Sequence, residues 1–454
     1  MRQKRDAVLS FEWSNDSALK IVRKRRGEYK RISALLDENP KVLELAHQDL
    51  RTLSQGGRQG RKAGFTSENL LRALIVHQIE GEAYRETIIR IAESPFLQDF
   101  VRLGPRQPMD FTLLCKAFGA VRPETWQRIN ALVAVDARDR KRIDPSAIRV
   151  DTTVVETDIH YPTDSSLAWD SWRVLARLLR QARKISVDLC PHRFHDGKVR
   201  RLYLHIARYA KSEVKSRQRD VKTWWRQLIE RVEWIAAVAE EFLARSVGGF
   251  DLDVEALRDE IMQHLPRVRT VLSASERANL NGEKVPASER VFSLFEPHTE
   301  LIRRGKTGKP VEFGHAVTLC QTREKFICGY EVMEHRIPDS ALAAVCIDKH
   351  KALFGEVPEG VTGDTGFNPN AEDREALEER VETLAIPRKL SDWKALIGPL
   401  WQRFRAGIEG TISVLKRAYR LLRCPYRGFK NFASSVGLSI FCHNLVLLAD
   451  RPGG

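Results

Sequence analysis

The chain has 454 residues, enough for two or three domains, and carries 75 Lys and Arg against 60 Asp and Glu, a formal net charge of +15. That balance favours a polyanionic partner and puts nucleic acid first among the candidates. The seven cysteines are odd in number and never spaced C-x-x-C, which argues for reduced thiols in a cytoplasm and against a disulfide scaffold or zinc ribbon. No apolar run approaches the roughly 18 residues of a membrane span, and the charged start MRQKRDAVLSFEWSND lacks the apolar core of a signal peptide.

Residues 1–64 are strongly charged and end in QGGRQGRKAG, which reads either as a linker or as a clamp on a phosphate backbone. From Thr66 a helical pattern takes over, with Leu70, Leu71, Leu74 and Ile75 in one stripe and Thr66 or Ser67 available as cap. Tyr84 to Ala92, Asp110 to Phe118 and Pro123 to Asp136 predict three more helices. Residues 1–140 therefore read as a helical N-terminal region, suited to placing a helix in a DNA groove or to packing and assembly.

The period changes at Ile143. In IRVDTTVVETDIHY apolar and polar residues alternate, which is a strand of period two, and Asp151 stands in its middle, where an aspartate is unfavourable by propensity. Residues 141–165 form this segment. Asp164 and the serines after it are expected to cap a long helical region, roughly 166–272, inside an insertion that runs to 289. Its first helix carries Arg173, Arg177, Arg180 and Lys184 as one cationic stripe, which is either the helix's solvated face or a phosphate-binding surface. Trp224, Trp225 and Trp234 are expected in the core rather than as base-stacking platforms.

Strand character returns at Arg290 and continues through two or three strands, with a loop from Arg303 to Lys309 between them. RRGKTGK lacks the spacing of a P-loop and no helix follows it, so a nucleotide site is rejected. Lys306 and Lys309 remain candidates for a phosphate-contacting hairpin tip. Pro338 to Gly355 predicts a helix, VPEGVTGDTGF a short strand ending at Asp364, Glu372 to Glu382 a helix and TLAIPRK another strand. Ser391 is expected to cap the run into a helix from Trp401 to Leu422, and Val436 to Ala449 reads as a buried final helix.

The Trp401 to Leu422 helix carries Glu409 with Arg405 one turn before it and Lys416 two turns after it on the same face. Alone, that is an ordinary ion-pair ladder. Together with Asp151 and Asp364 it gives three carboxylates, one within a strand, one at a strand end and one on a crossing helix. Carboxylates that close repel unless a cation neutralises them, and hard oxygen ligands suit Mg2+ or Mn2+. Glu156 and Asp158 are less suitable first carboxylates than Asp151, which has apolar flanks and a D-T-T context. His160 reads as structural.

The D-T-T at Asp151–Thr153, the G-D-T-G-F at Gly363–Phe367 and the glutamate helix resemble the DDE transposases of bacterial insertion sequences. The stretches VVETDIHYPTDSSL and PHTELIRRGKTGKPVEFGHAV resemble the ISNCY-like group among them. The resemblance covers most of 66–160 and 290–449. It implies an α/β fold, an RNase H-like mixed-sheet catalytic core, with a helical N-terminal domain and a large helical insertion after the first core strand; residues 290–454 complete that core. It implies Asp151, Asp364 and Glu409 as catalytic residues holding two Mg2+ or Mn2+ ions, with Arg405 and Lys416 on DNA. The partners it implies are double-stranded element ends, namely the terminal inverted repeats, and target DNA, engaged by a homodimer or larger synaptic complex at the bacterial nucleoid with no membrane. Many relatives carry Y-x2-R-x3-E-x6-K on the glutamate helix, and here Gln402 stands at the tyrosine position. The short gap between Asp364 and Glu409 leaves no room for the β-rich insertion some members have there. Two other classes remain: a DNA-binding protein without catalysis, and a nuclease of the same fold that cuts without joining.

Overall fold

Strand β1 (Ala147–Thr157) is built from β-branched residues, and its alternation buries Ile148, Val150 and Val154 on one face. In the computed structural model, which describes residues 2–5, 19–54, 64–247, 251–306, 308–392 and 398–450 except for the side chains of 304–306 and 309, this strand is the centre of a mixed sheet. The other strands are β2 (Glu300–Lys306), β3 (Lys309–Gln321), β4 (Ile327–Val332), β5 (Gly360–Thr362), β6 (Thr383–Ala385) and β7 (Arg423–Cys424). The order is β2-β3-β1-β5-β6, with β4 also on β3 and β7 also on β1. β3 is antiparallel to β1, from Arg149 opposite Gln321 to Glu156 opposite Gly314, and β4 is antiparallel to β3. β5 and β7 run parallel to β1, and β6 parallel to β5.

Among the described residues the fold is mixed α/β, with fifteen α-helices around the seven strands. By its internal contacts the chain divides into two compact units, one comprising residues up to Asp158 and from Gly314 on, the other Ile159–Phe313.

The first unit opens with α1 (Lys20–Glu38) and α2 (Pro40–Leu50), two helices the charge-dominated reading of residues 1–64 does not anticipate. They fold because Tyr29, Ile32, Leu35, Leu36, Val42, Leu43 and Ala46 recur at helical spacing and are buried beneath the charged face. Most of QGGRQGRKAG lies outside the described residues. α3 (Ser67–Glu80) begins at a capping box in which Thr66 accepts from the Asn69 backbone and Asn69 returns the bond. α4 (Tyr84–Glu93), α5 (Pro95–Val101), α6 (Phe111–Ala120, capped by Asp110) and α7 (Pro123–Asp139) complete the helices before β1. α12 (Asp339–Phe354) follows β4 and α13 (Ala371–Glu378) follows β5. α15 (Phe429–Asp450) is the one described helix long and apolar enough to cross a membrane, and 89% of its apolar window is buried inside the protein. It packs on α7, where Gly437 lets the helix backbone approach Trp126, and Asn444 closes two hydrogen bonds with the Ile327 backbone on β4.

The second unit is helical: α8 (Asp164–Ile185), α9 (Asp196–Tyr209), α10 (Lys215–Arg245) and α11 (Leu252–Asn279), followed by β2 and the start of β3. The cap of α8 is Thr163 rather than Asp164, in a box with Ser166, while Asp164 accepts from Arg290 at 2.7 Å and Asn279 at 3.0 Å. Trp172, Leu175, Leu179, Val232, Ala236 and Ile261 form the middle of its core. Trp225 is buried there, as expected; Trp224 is only half-buried and Trp234 is 37% exposed, against the expectation of core positions.

Candidate active site

Because side chains alternate along a strand, Arg149, Asp151 and Thr153 share the face of β1 opposite Val150. β5 pairs with the first residues of β1, Ala147 opposite Gly360 and Arg149 opposite Thr362. Carrying that register two residues further brings Asp364 level with Asp151. The chain turns there, and Asp364 caps the turn by accepting from the Gly366 N–H at 2.8 Å. Gly363 precedes it in a tight space, where a methyl would stand 3.1 Å from Val150 Cγ2 and 3.2 Å from Phe367 Cβ.

α14 (Pro399–Ala418) lies across this face. Two glycines let it approach: a methyl on Gly360 would stand 2.2 Å from the Trp401 ring, and one on Gly407 2.2 Å from Arg149 Nη1. Arg149 is buried in the contact. It donates to the Phe404 carbonyl at 2.6 Å and to Gln321 Oε1 at 2.7 Å, with its guanidinium 4.9 Å from the Phe404 ring centre. Burial pulls its pKa down to about 10. Sequence reasoning missed Arg149 as the residue that seats the helix; the available signal was an arginine between two buried apolar residues in a central strand. Ile408, Thr411 and Leu415 supply the buried flank of α14. The helix ends at Ala418, short of the predicted Leu422. Arg420 takes a left-handed φ of 61°, the Leu421 N–H returns to the Leu415 carbonyl, and the chain leaves as β7 to pair with β1.

Asp364 and Glu409 both come within electrostatic reach of Asp151. Asp151 is half-buried, and burial is the main force raising its pKa from the ordinary carboxylate value to about 6; Asp364 and Glu409 push the same way, while the Thr152 N–H, 2.7 Å from Oδ1, and Arg405 oppose. Glu409 itself is 61% exposed and turned to Arg405, Oε1 to Nη2 3.0 Å. Among the described residues no group of three or more His, Cys, Asp or Glu stands at metal-binding spacing. The acids therefore share a neighbourhood, with Glu409 held in an ion pair. Lys416 lies two turns further along α14, half-buried. The alternative acids are engaged elsewhere: Glu156 and Asp158 both face Arg423, at 3.1 and 3.5 Å.

In the second unit His160 faces Asp170 at 3.5 Å. The cationic stripe of α8 is present, but three of its four members face carboxylates: Arg173 with Asp170 at 2.6 Å, Arg177 with Glu260 at 3.8 Å and Arg180 with Asp196 at 2.7 Å. Lys184 sits in the last turn of that helix. The side chains of Lys306 and Lys309 lie outside the described residues. Compared with protein-family models, with curated proteins and with solved structures, the chain matches none.

Proposed function

We propose that the protein is a DNA transposase of the DDE type, with an RNase H-like core, that cuts at the ends of an insertion sequence and joins them to target DNA. The observation that carries this reading is that Asp364, in the turn two residues past the end of β5, and Glu409, on the helix seated over β1, both act electrostatically on Asp151. A mixed sheet supports it, with β4, β3 and β1 antiparallel in turn and β5 and β6 parallel to β1.

The donor set suits two Mg2+ or Mn2+ ions. All three groups are oxygen ligands, and a bound cation would relieve the cost of ionising Asp151, which is largest where that carboxylate is half-buried beside two others. Glu409, exposed on one side of its ion pair, would serve as a further oxygen ligand, with a bound cation competing against Arg405 for it. When bound, the ions would stabilise charge on the attacking and leaving oxygens of an in-line displacement at phosphorus. The protein's own contribution is position. β1 holds Asp151, the turn after β5 holds Asp364, and Arg149 fixes α14, on which Glu409 and Arg405 form an ion pair one turn apart. Arg405, released from Glu409, and Lys416 are suited to the phosphates beside the scissile bond. A water oxygen would first attack at the element end, forming a P–O bond to water and breaking the P–O3′ bond, which leaves a 5′-phosphate and a free 3′-hydroxyl; that hydroxyl would then attack target DNA, forming one phosphodiester P–O bond as another breaks and a target 3′-hydroxyl leaves.

The ion pair between Glu409 and Arg405 favours a second reading, a DNA-binding protein whose carboxylates stay silent. Metal-dependent cleavage of element-end DNA by the wild type and its loss in Asp151→Asn separates the two; cleavage retained by Asp151→Asn would sink the catalytic assignment.

A further inference from the structure

A second concentration of positive charge lies on α9, α10 and the turn between them, away from the α8 stripe that the spacing of residues singles out. From Lys198 to Arg231 there are eleven Lys and Arg against three acids, Glu213, Asp220 and Glu230. Among the described ion pairs, only Arg217 with Asp220 at 3.9 Å draws on this run. The cations of α8 are largely matched within the unit, whereas Lys198, Arg201 and Arg231 are exposed and stand in none of the described ion pairs.

A groove of about 720 Å3 runs between these two helices, within the second unit. Lys198 and Arg201 on α9 and Arg231 on α10 stand along it, with Glu230 as its one carboxylate. Trp224 and Trp234 form its apolar wall. Trp224 is braced edge-on by His205, ring centres 4.9 Å apart, and by Tyr209 at 5.8 Å; Trp234 stacks on the buried Trp172 at 6.1 Å. A half-buried indole held by its neighbours on one side leaves the other side for a ligand, and loses little side-chain freedom when a ligand arrives. Exposed cations interleaved with fixed aromatic faces are the chemistry that tracks a phosphate backbone while unpaired bases stack. A duplex keeps its bases stacked on each other and offers an indole only its edges.

We propose that this groove binds an unpaired DNA strand, with Trp224 as the stacking platform and Lys198, Arg201 and Arg231 as phosphate contacts. DNA as the polymer rests on the reading of the protein as one that acts on DNA; the groove and its chemistry stand apart from the carboxylates.

The test is the affinity of the full chain for a fluorescein-labelled oligothymidine and for a duplex of equal length. Trp224→Ala should weaken the oligothymidine roughly tenfold with little change for the duplex, and Trp224→Phe should retain most of the affinity. Replacing Lys198, Arg201 and Arg231 together with Gln should flatten the dependence of log affinity on log salt for the single strand by about 2. That triple variant changes only surface residues, so it keeps the proposal open to refutation if Trp224→Ala melts early. Unchanged oligothymidine binding in Trp224→Ala, or equal losses for strand and duplex, would overturn the proposal. Asp151→Asn should bind the oligothymidine like the wild type. Strand binding with no end cleavage in any metal would therefore count against the catalytic reading and leave the groove standing.

Discussion

Gly407 lies over Arg149 so closely that a methyl group on the glycine would stand 2.2 Å from the guanidinium Nη1. The arginine cannot retreat, because the Phe404 carbonyl and Gln321 hold it. This contact sets the depth at which α14 rests on β1 and so the distance from Glu409 to Asp151. Gly407→Ala should destabilise the first unit by about 1–3 kcal/mol through overpacking and abolish end cleavage. Gly410→Ala, three residues on in the same helix with open space around it, should instead stabilise by about 0.5–1 kcal/mol. Urea melts of both variants test the pair, and a Gly407→Ala protein as stable and active as wild type would contradict this account of how α14 is seated.

Asp151 predicts a pH signature. Its pKa is raised to about 6 in the folded protein, so the folded state holds that proton more tightly than the unfolded chain does. The resulting stabilisation is complete below the ordinary carboxylate value near 4 and is lost as pH rises through about 6. In EDTA at pH 7.5, Asp151→Asn should therefore be more stable than wild type by about 1–2 kcal/mol, and the two should converge near pH 4. Mg2+ should raise the wild-type melting temperature at pH 7.5 far more than at pH 5, because only the ionised carboxylate is a ligand. A Mg2+ shift independent of pH, or one retained by Asp151→Asn, would remove Asp151 from the metal site.

Arg405 competes with metal for Glu409. Its ion pair is largely exposed and worth only about 0.3–0.5 kcal/mol, so Arg405→Gln should tighten Mg2+ binding in the absence of DNA by about twofold while weakening element-end DNA. Isothermal titration of both ligands reads the two effects. Loss of Mg2+ affinity in Arg405→Gln would show that the arginine supports the carboxylates rather than restraining them.

Glu156 and Asp158 face Arg423 at the other end of β1. Glu156→Gln and Asp158→Asn should leave the Mg2+ dependence of cleavage unchanged, at a stability cost below about 1 kcal/mol each. A metal defect in Glu156→Gln would move the site along the strand.

What could be read in the sequence was whatever rests on local pattern. The period-two run around Asp151, the cap at Thr66, the turn at Asp364 and the single acid on an amphipathic helix all appear where their spacing puts them. What could not be read depends on partners distant in sequence. Nothing near Arg149 announces that Phe404 and Gln321 will hold it. The left-handed Arg420 that ends α14 is of a type that rarely adopts that conformation. The α8 stripe reads as either a solvated face or a phosphate-binding surface, and Glu260 and Asp196, which face two of its arginines, come from other helices and leave no local signal. α1 and α2 were hidden differently: their apolar residues recur at helical spacing, but the surrounding charge outweighs them in any reading by composition.

The central claim is that Glu409 completes a metal-dependent phosphoryl-transfer site with Asp151 and Asp364. Labelled duplexes carrying the DNA ends that flank the gene should be incubated with wild type and with Glu409→Gln, in Mg2+ and in EDTA. The account predicts nicking and joining by wild type in Mg2+ alone, and end binding without cleavage by Glu409→Gln. Equal cleavage by the two proteins, or tight end binding by wild type with no cleavage in either Mg2+ or Mn2+, would contradict it.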